Sequence, residues 1–153
     1  MSSLLLHSTI VAIGLMGMGS VMGAAHASAN SGTEVRFATG QLSSQVTGVL
    51  TPKQDERWYR FNALSGQYAI INIAPLSGTN IAVSETANVG ILHMPDGTQD
   101  GTKGGIIYQG CLPVSGQYRL RIARNLMATE GGRAGYTAEI MILPRYASQE
   151  LCP

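Results

Sequence analysis

The residues best suited to chemistry at a protein surface are arginines in the last third of this 153-residue chain. Four of its ten basic residues share one short segment with a single acid, Glu130; they are Arg119, Arg121, Arg124 and Arg133. Guanidinium groups form bidentate hydrogen bonds with carboxylates and are enriched at protein interfaces. A solvated polar face is the ordinary interpretation, yet this concentration favours a cationic ridge that fits an acidic cleft on a partner.

Catalytic and metal-binding patterns are poorly developed in this sequence. His93 is the one histidine after the N-terminal leader discussed below, and neither a Gly-x-Ser-x-Gly elbow nor a Cys-x-x-Cys pair occurs. Four acids could meet in space, although no spacing singles out a catalytic pair: Asp55, Glu56, Glu85 and Glu139. We therefore predict a protein that is not an enzyme and that has no metal and no cofactor.

One loop is rich in oxygen ligands. Asp96 and Asp100 lie four residues apart in the glycine-rich stretch 95–105, a composition that calcium sites share. The spacing does not match an EF-hand, and Lys103 adds an opposing charge, so an Asp-Gly hairpin turn is the favoured interpretation and a bound ion is the alternative. The stretch as a whole is predicted to be a long loop.

The arginines must be positioned by a strand, because the residues around them alternate with the period of two of a half-buried strand. Apolar residues at 118, 120 and 122 alternate with Arg119 and Arg121. The tetrapeptide Ser-Gly-Gln-Tyr opens this strand at 115–118 and opens a second strand at 65–68, which predicts two similar corners of one architecture. Tyr118 is either a partner contact or a plug at the end of the core.

Short apolar runs separated by Gly, Pro and Ser turns fill the chain after the leader, and no window shows the apolar period of a long helix. This pattern predicts an all-β fold, a single antiparallel β-sandwich domain of about seven to nine short strands. A short helical turn is considered for 125–130. The predicted strands are 34–37, 45–50, 57–61, 68–73, 80–83, 89–94, 105–108, 118–123 and 136–143.

The N-terminal 33 residues carry no Lys, Arg, Asp or Glu and include an apolar run interrupted by glycines. The run is followed by Ala25-His26-Ala27, a small-x-small site typical of signal peptide cleavage. We predict a secretory signal peptide over 1–27, cleavage after Ala27, and a mature periplasmic domain over 28–153. A membrane anchor is the alternative, and no basic stop-transfer cluster supports it.

The mature chain keeps two cysteines, Cys111 and Cys152. Because an exported chain meets an oxidising compartment, a disulfide between them is the default, with two free thiols as the alternative. The bond would tie the C-terminal tail to the region before Ser115 and would stabilise the fold by about 3–4 kcal/mol.

Ordered fragments run through most of the mature chain. The first are Val35-x-Phe37-x-x-Gly40-x-x-Ser43-x-Gln45-x-x-Gly48, then Tyr59-x-Phe61 and Gly66-Gln67. The later ones are Leu112-Pro113-x-Ser115-Gly116-x-Tyr118-x-Leu120-Arg121-Ile122, then Arg124-Asn125 and Tyr136-x-x-x-Ile140-x-Ile142. Together they resemble the periplasmic inhibitors of g-type lysozyme. Similar turn-strand patterns occur in pre-peptidase C-terminal β-sandwich domains, which are the weaker resemblance.

The first resemblance implies an exported β-sandwich that blocks the cleft of a muramidase. In such inhibitors a loop with a Ser-Gly-x-Tyr motif is associated with the inhibitory surface, and an Arg-Asn pair follows the same strand. The partner-binding residues implied by position, together with the ridge arginine, are Ser115, Gly116, Tyr118, Arg121, Arg124 and Asn125. An arginine, with Arg124 first, is expected to pair with the catalytic glutamate region of the enzyme. The next residues, Leu126-Met127-Ala128, depart from the family pattern.

We therefore predict that the protein binds and inhibits a g-type-like lysozyme by occluding its active-site cleft. It is expected to bind neither nucleic acid, since its net charge is only +1, nor a membrane after cleavage. One alternative is a non-enzymatic envelope or glycan-binding module of the pre-peptidase type. Another is a periplasmic immunity protein against a bacterial muramidase effector, so that the target is either a host lysozyme or a bacterial enzyme.

Overall fold

The computed structural model describes residues 32–77 and 82–153. In these residues the chain forms ten β-strands and one short helix. The strands are β1 (Thr33–Glu34), β2 (Ser43–Leu50), β3 (Glu56–Ala63), β4 (Tyr68–Ala74), β5 (Glu85–Thr86), β6 (Val89–His93), β7 (Gln99–Lys103), β8 (Gly105–Cys111), β9 (Gly116–Ala123) and β10 (Ala134–Ile142). The helix is α1 (Arg145–Ser148).

The strands form two sheets around one core. The first sheet has the order β1-β3-β9-β6-β7, and the second has the order β2-β10-β4-β8, with β5 paired to β10. Only the two-residue strands β1 and β5 run parallel to their described neighbours; the other pairs are antiparallel. The predicted all-β sandwich is confirmed, with ten strands in the described residues where about seven to nine were expected.

The core consists of the inward faces of alternating strands. In β9, Tyr118, Leu120 and Ile122 are fully buried, whereas Arg119 and Arg121 between them are partly exposed. The second sheet contributes fully buried residues that face them, among them Ile71, Tyr136 and Ile140. Burial of each such side chain stabilises the fold by about 1.5–3 kcal/mol. The alternation predicted for this strand is therefore confirmed, and it sets which side chains reach the surface.

A pair of tyrosines joins the two sheets. The hydroxyls of Tyr59 and Tyr136 lie 2.5 Å apart, and their rings meet edge to face. Tyr136 pairs with Gly48 across β10 and β2. A Cβ at position 48 would lie 2.6 Å from Cζ of Tyr136, so only glycine leaves room for this ring.

The long loop predicted over 95–105 is wrong, because β7 forms inside it. All five residues of β7 are exposed, and the strand pairs antiparallel with β6 at the edge of the first sheet. Its stability comes from backbone pairing, so it lacks the apolar alternation that a sequence pattern detects. The Asp-Gly hairpin turn before it is confirmed, since Met94 N–H donates to Thr98 O at 2.9 Å and Thr98 N–H donates to Asp96 Oδ1 at 3.0 Å.

Three other local expectations differ from the structure. The helical turn considered for 125–130 is not formed, and a β-turn occupies its first residues. The strand expected over 34–37 ends at Glu34. The strand expected over 80–83 falls partly outside the described residues, and its last two residues are not in a strand. Each of these segments is short, so a local pattern is outweighed there by packing.

The predicted disulfide is confirmed between Cys111 and Cys152, with a Cα–Cα distance of 5.7 Å. It joins the last residue of β8 to the tail that follows α1. The predicted signal peptide 1–27 and its cleavage after Ala27 lie outside the described residues. Within the part of the chain that is described, no helix is long and apolar enough to cross a membrane.

Candidate partner-binding site

The six residues predicted to bind a partner are spread along β9. Ser115 and Gly116 lie where the strand begins, Arg121 lies within it, and Arg124 and Asn125 follow its last residue. Strand residues rise by about 3.3 Å each, so the two ends of β9 are separated by roughly 23 Å. The predicted residues therefore form two groups at opposite ends of the sandwich rather than one cluster.

The two Ser-Gly-Gln-Tyr copies meet at one end, and we call residues 65–68 with 113–118 the serine-corner end. The backbone N–H of Ser65 donates to Ser115 Oγ at 2.9 Å, and Ser65 Oγ donates to the Pro113 carbonyl at 3.0 Å. Each copy therefore holds the other, and Ser115 remains exposed on a fixed corner. The sequence predicted two similar corners, and the structure adds that they are in contact.

Glycine is required at this corner by backbone conformation and by space. Gly116 has a φ of 146°, which side-chain-bearing residues rarely adopt, and a Cβ there would lie 3.0 Å from Cβ of Pro95. Gly66 has a φ of 79°, in the left-handed region. The motif glycines thus shape the corner, and Gly116 can offer a partner its backbone only.

Tyr118, the last residue of the second copy, is a core residue. It is fully buried, its ring stacks on Phe61 with centroids 5.7 Å apart, and its hydroxyl donates to the Val114 carbonyl at 2.5 Å. Burial raises the pKa of Tyr118 above its usual value. The sequence left two roles open for Tyr118, a partner contact or a plug at the end of the core. The structure favours the plug, because the side chain is not accessible in the folded chain.

The outer face of the first sheet carries Arg119 and Arg121. Arg121 Nε lies 2.5 Å from Glu56 Oε2, and Trp58 Nε1 donates to the other oxygen of Glu56 at 2.9 Å. The Arg119 guanidinium lies 5.3 Å from the centroid of the Trp58 ring, which also meets His93 at 4.9 Å. Hydrogen bonds from Trp58 and then Arg121 lower the pKa of Glu56. The expected ridge exists on this face, but its charge is partly neutralised.

Arg124 differs from the expectation that it would stand at the surface. Its side chain is only 2% exposed, and its guanidinium lies 3.4 Å from both Asp55 and Glu85. It also donates to Thr129 Oγ1. The expectation fails because Arg124 continues the buried series of Leu120 and Ile122, and two carboxylates from distant segments meet its guanidinium on that face.

Glu85 holds the loop that follows Arg124, and we call residues 124–133 the loop end. The Glu85 carboxylate accepts hydrogen bonds from Thr129 Oγ1 at 2.6 Å and from the backbone N–H groups of Glu130 and Gly132 at 2.9 and 2.8 Å. These bonds, led by that from Thr129, lower the pKa of Glu85 to about 2. Sequence reasoning missed this role because the partners lie up to 47 positions away along the chain.

Leu126 and Met127 form the exposed tip of the loop end. Their surfaces are 63% and 91% exposed, and the turn beneath them closes through Ala128 N–H donating to the Asn125 carbonyl at 2.9 Å. A groove of about 340 Å³ lies beside the turn, and its lining includes two carboxylates. The lining residues are Ser84, Glu85, Thr86, Asn88, Asn125, Ala128 and Glu130. Asn125, a predicted contact, is half-buried at the border of tip and groove.

No protein-family model matches the chain, and no curated protein matches it by sequence. Solved structures do resemble it. A periplasmic inhibitor of g-type lysozyme from Aeromonas hydrophila is 22% identical and matches with a TM-score of 0.53 over 72% of this chain and 95% of its own. The corresponding inhibitor from Salmonella Typhimurium is 24% identical, with a TM-score of 0.54 over 73% and 97%.

A pre-peptidase C-terminal domain of collagenase from Bacillus anthracis is more distant, at 17% identity and a TM-score of 0.46 over 73% of this chain and 96% of its own. The lysozyme inhibitors named by the sequence resemblance are thus among the structural neighbours. The higher TM-scores are those of the lysozyme inhibitors, and this chain shares their fold.

Proposed function

We propose that this protein is an exported inhibitor of a g-type-like lysozyme and that it occludes the active-site cleft of that muramidase. The proposal rests on one observation, the exposed and hydrogen-bonded corner at the serine-corner end. The motif behind the resemblance is exposed there at Ser115 and held by hydrogen bonds, on a fold shared with such inhibitors. A corner that is already rigid loses little conformational entropy when it enters a cleft.

One enzyme is large enough to cover both groups of predicted contacts. A standard protein interface buries about 800 Å² on each partner, which corresponds to a patch roughly 28 Å across. The two ends of β9 are separated by less than this. We therefore assign direct contact to Ser115, Gly116, Arg121 and Asn125, which line up along one strand and the loop after it.

Arg121 is the arginine that we assign to the catalytic glutamate region of the enzyme. Its side chain is 32% exposed, and its partner Glu56 is 41% exposed, so an incoming carboxylate can share the guanidinium at the surface. Charge-assisted bonds of this kind strengthen when the interface excludes water. The buried side chain of Arg124 cannot reach a partner, so we assign it to holding the loop end. The buried Tyr118 is likewise assigned to supporting the serine-corner end.

Lysis assays with purified domain 28–153 test the proposal against g-, c- and i-type lysozymes. We expect inhibition of the g-type enzyme, and Arg121→Ala should weaken it by about tenfold or more. Arg36→Ala is the matched control, since Arg36 is 87% exposed and forms only a loose pair with Glu34 at 3.8 Å. Arg124→Met should instead lower the melting temperature.

Absence of inhibition by the wild-type domain would contradict the proposal, and glycan binding without inhibition would indicate the pre-peptidase type of module. Inhibition of a bacterial muramidase alone would identify an immunity protein. Mass spectrometry of the exported protein should find Ser28 at its N-terminus, and recovery of the uncleaved chain in the inner membrane would contradict export by a cleaved signal.

A further inference from the structure

A recess on the outer face of the first sheet contains none of the predicted partner contacts. Its volume is about 180 Å³, which is smaller than the roughly 300–1,000 Å³ of pockets that bind drug-sized ligands. Its polar lining consists of Glu34 of β1, Arg60 and Asn62 of β3, and Gln117 of β9, and the rest of the lining is apolar. The recess therefore has room for a small ligand and offers it both charged groups and amides.

Arg60 lines this recess without an ionic partner. Its Nε atom is buried and has no hydrogen-bond acceptor, and no ion pair of its guanidinium is formed within residues 32–77 and 82–153. The strand register places Arg119 directly opposite Arg60 across β3 and β9, and like charges in opposite positions destabilise a sheet. Partial burial of a charge without a compensating anion is also unfavourable. A bound anion would relieve both costs.

The two glutamines of the repeated motif are used differently. Gln67 Oε1 accepts from Leu64 N–H at 2.7 Å, and Gln67 Nε2 donates to the Leu143 carbonyl at 3.1 Å. Gln117 holds the same place in the second copy, but its side chain forms no such bonds to the described part of the chain and lines the recess opposite Asn62. An amide can donate hydrogen bonds to an anion without adding charge. Gln117 is therefore available to a ligand, whereas Gln67 is not.

We propose that this recess binds a small monocarboxylate, whose oxygens accept hydrogen bonds from the Arg60 guanidinium and from the amides of Asn62 and Gln117. A guanidinium matches the planar geometry of a carboxylate and binds it in bidentate fashion. Glu34 pairs only loosely with exposed Arg36, at 3.8 Å, and also lines the recess. It repels a second negative charge, so a phosphate dianion fits the recess less well. A short alkyl chain on the ligand lies against the apolar part of the lining.

Titration of the purified protein with propionate, followed by NMR, tests this site. We expect saturable shifts of the amide signals at positions 60, 62 and 117, and a higher melting temperature, because the ligand binds the folded state. Arg60→Met should raise the dissociation constant for propionate by about tenfold or more. It should not lower the melting temperature of the ligand-free protein, since this guanidinium has no ion pair to lose. Arg133→Met is the matched control, because Arg133 is exposed at the loop end and should not affect propionate binding.

The two motif glutamines provide a second matched pair of variants. Gln117→Ala should weaken propionate binding by about threefold or more and leave the melting temperature unchanged. Gln67→Ala should lower the melting temperature and leave propionate binding unchanged. Inorganic phosphate that binds as tightly as propionate would overturn the assignment to a carboxylate. Absence of saturable shifts in the wild type, or undiminished binding by Arg60→Met, would overturn the site. None of these measurements uses a lysozyme, so their outcome leaves the proposed function to its own test.

Discussion

The two ends of β9 are both rigid, but they are held by different chemistry. At the serine-corner end the bonds between the two motif copies join neutral groups, such as Ser65 N–H with Ser115 Oγ. At the loop end one carboxylate, that of Glu85, accepts the backbone bonds and pairs with buried Arg124. None of the bonds cited for the first end uses a carboxylate, whereas rigidity at the second depends on ionised Glu85. Two exposed elements of one sandwich should therefore respond differently to mutation and to pH.

The serine-corner end has a further support that the loop end lacks. The C-terminal segment 144–153, which we call the tail and which includes α1, is tied to β8 by the disulfide, and its Ser148 Oγ accepts from Tyr68 N–H at 2.9 Å. Arg145 Nε, at the start of the helix α1 that precedes the bridged Cys152, donates to the Ser65 carbonyl at 2.8 Å. The covalent bond, the tail and the corner thus form one connected unit.

The largest expected effect separates the two tyrosines of the repeated motif. Tyr118→Ala removes a fully buried ring stacked on Phe61, and we expect a loss of about 3–5 kcal/mol in the free energy of unfolding. Tyr68→Ala, at a partly exposed position, should cost clearly less. Denaturant unfolding of both variants measures the difference. A stable Tyr118→Ala domain that has lost only inhibition would return Tyr118 to the contact residues.

The disulfide should have the next largest effect. Removing it by Cys111→Ser or Cys152→Ser should lower the free energy of unfolding by about 3–4 kcal/mol, and the double variant should resemble either single one. Hydrogen exchange should then increase at the amides of Ser65 and Tyr68, which the tail supports, more than at those of the loop end. Equal increases at both ends would show that the tail does not brace the corner.

The smallest effect is a response of the loop end to acid. The folded pKa of Glu85, about 2, lies below its ordinary value of 4.5. Ionised Glu85 therefore stabilises the fold at neutral pH, and this contribution is lost as the pH falls from about 4.5 towards 2. Protection of the Glu130 and Gly132 amides from exchange should fall over this range, while that of Ser65 should not.

Glu85→Gln provides the control for the acid response, because it keeps an oxygen acceptor but has no proton to gain. The stability advantage of the wild type over Glu85→Gln should shrink across the same pH range. A constant difference in the free energy of unfolding between the two proteins would show that titration of Glu85 does not cause the acid response. The response would then come from other carboxylates with lowered pKa values, such as Glu56.

Much of the architecture could be predicted from local pattern. Strands with one apolar face, such as β9 and β4, show their alternation directly in the sequence. The strand β7 was missed because both of its faces are exposed, so nothing in its composition reflects the backbone pairing that stabilises it. The disulfide could be predicted because a chain that is expected to be exported and has two cysteines leaves one pairing.

The candidate site was less predictable, because its geometry depends on contacts between distant segments. Alternation correctly placed Arg121 on the outer face, and its continuation puts Arg124 on the buried face. It could not show that Asp55 and Glu85 meet the Arg124 guanidinium there. The two motif copies are identical over four residues, yet Tyr118 is buried and Tyr68 is partly exposed. Their strands lie in different sheets. Tyr118 is on the buried face of its sheet, whereas Tyr68 is on the partly exposed face of the other.

The sequence by itself determined the fold class, the face of β9 that carries arginines and the pairing of the two cysteines, because these depend on local periodicity and on residue count. Only the tertiary structure decided that the two serine corners touch, that Glu85 holds the loop end and that Leu126 and Met127 project from it. Burial and hydrogen bonding between segments up to 50 positions apart arise when the sheets pack, and no local pattern records them.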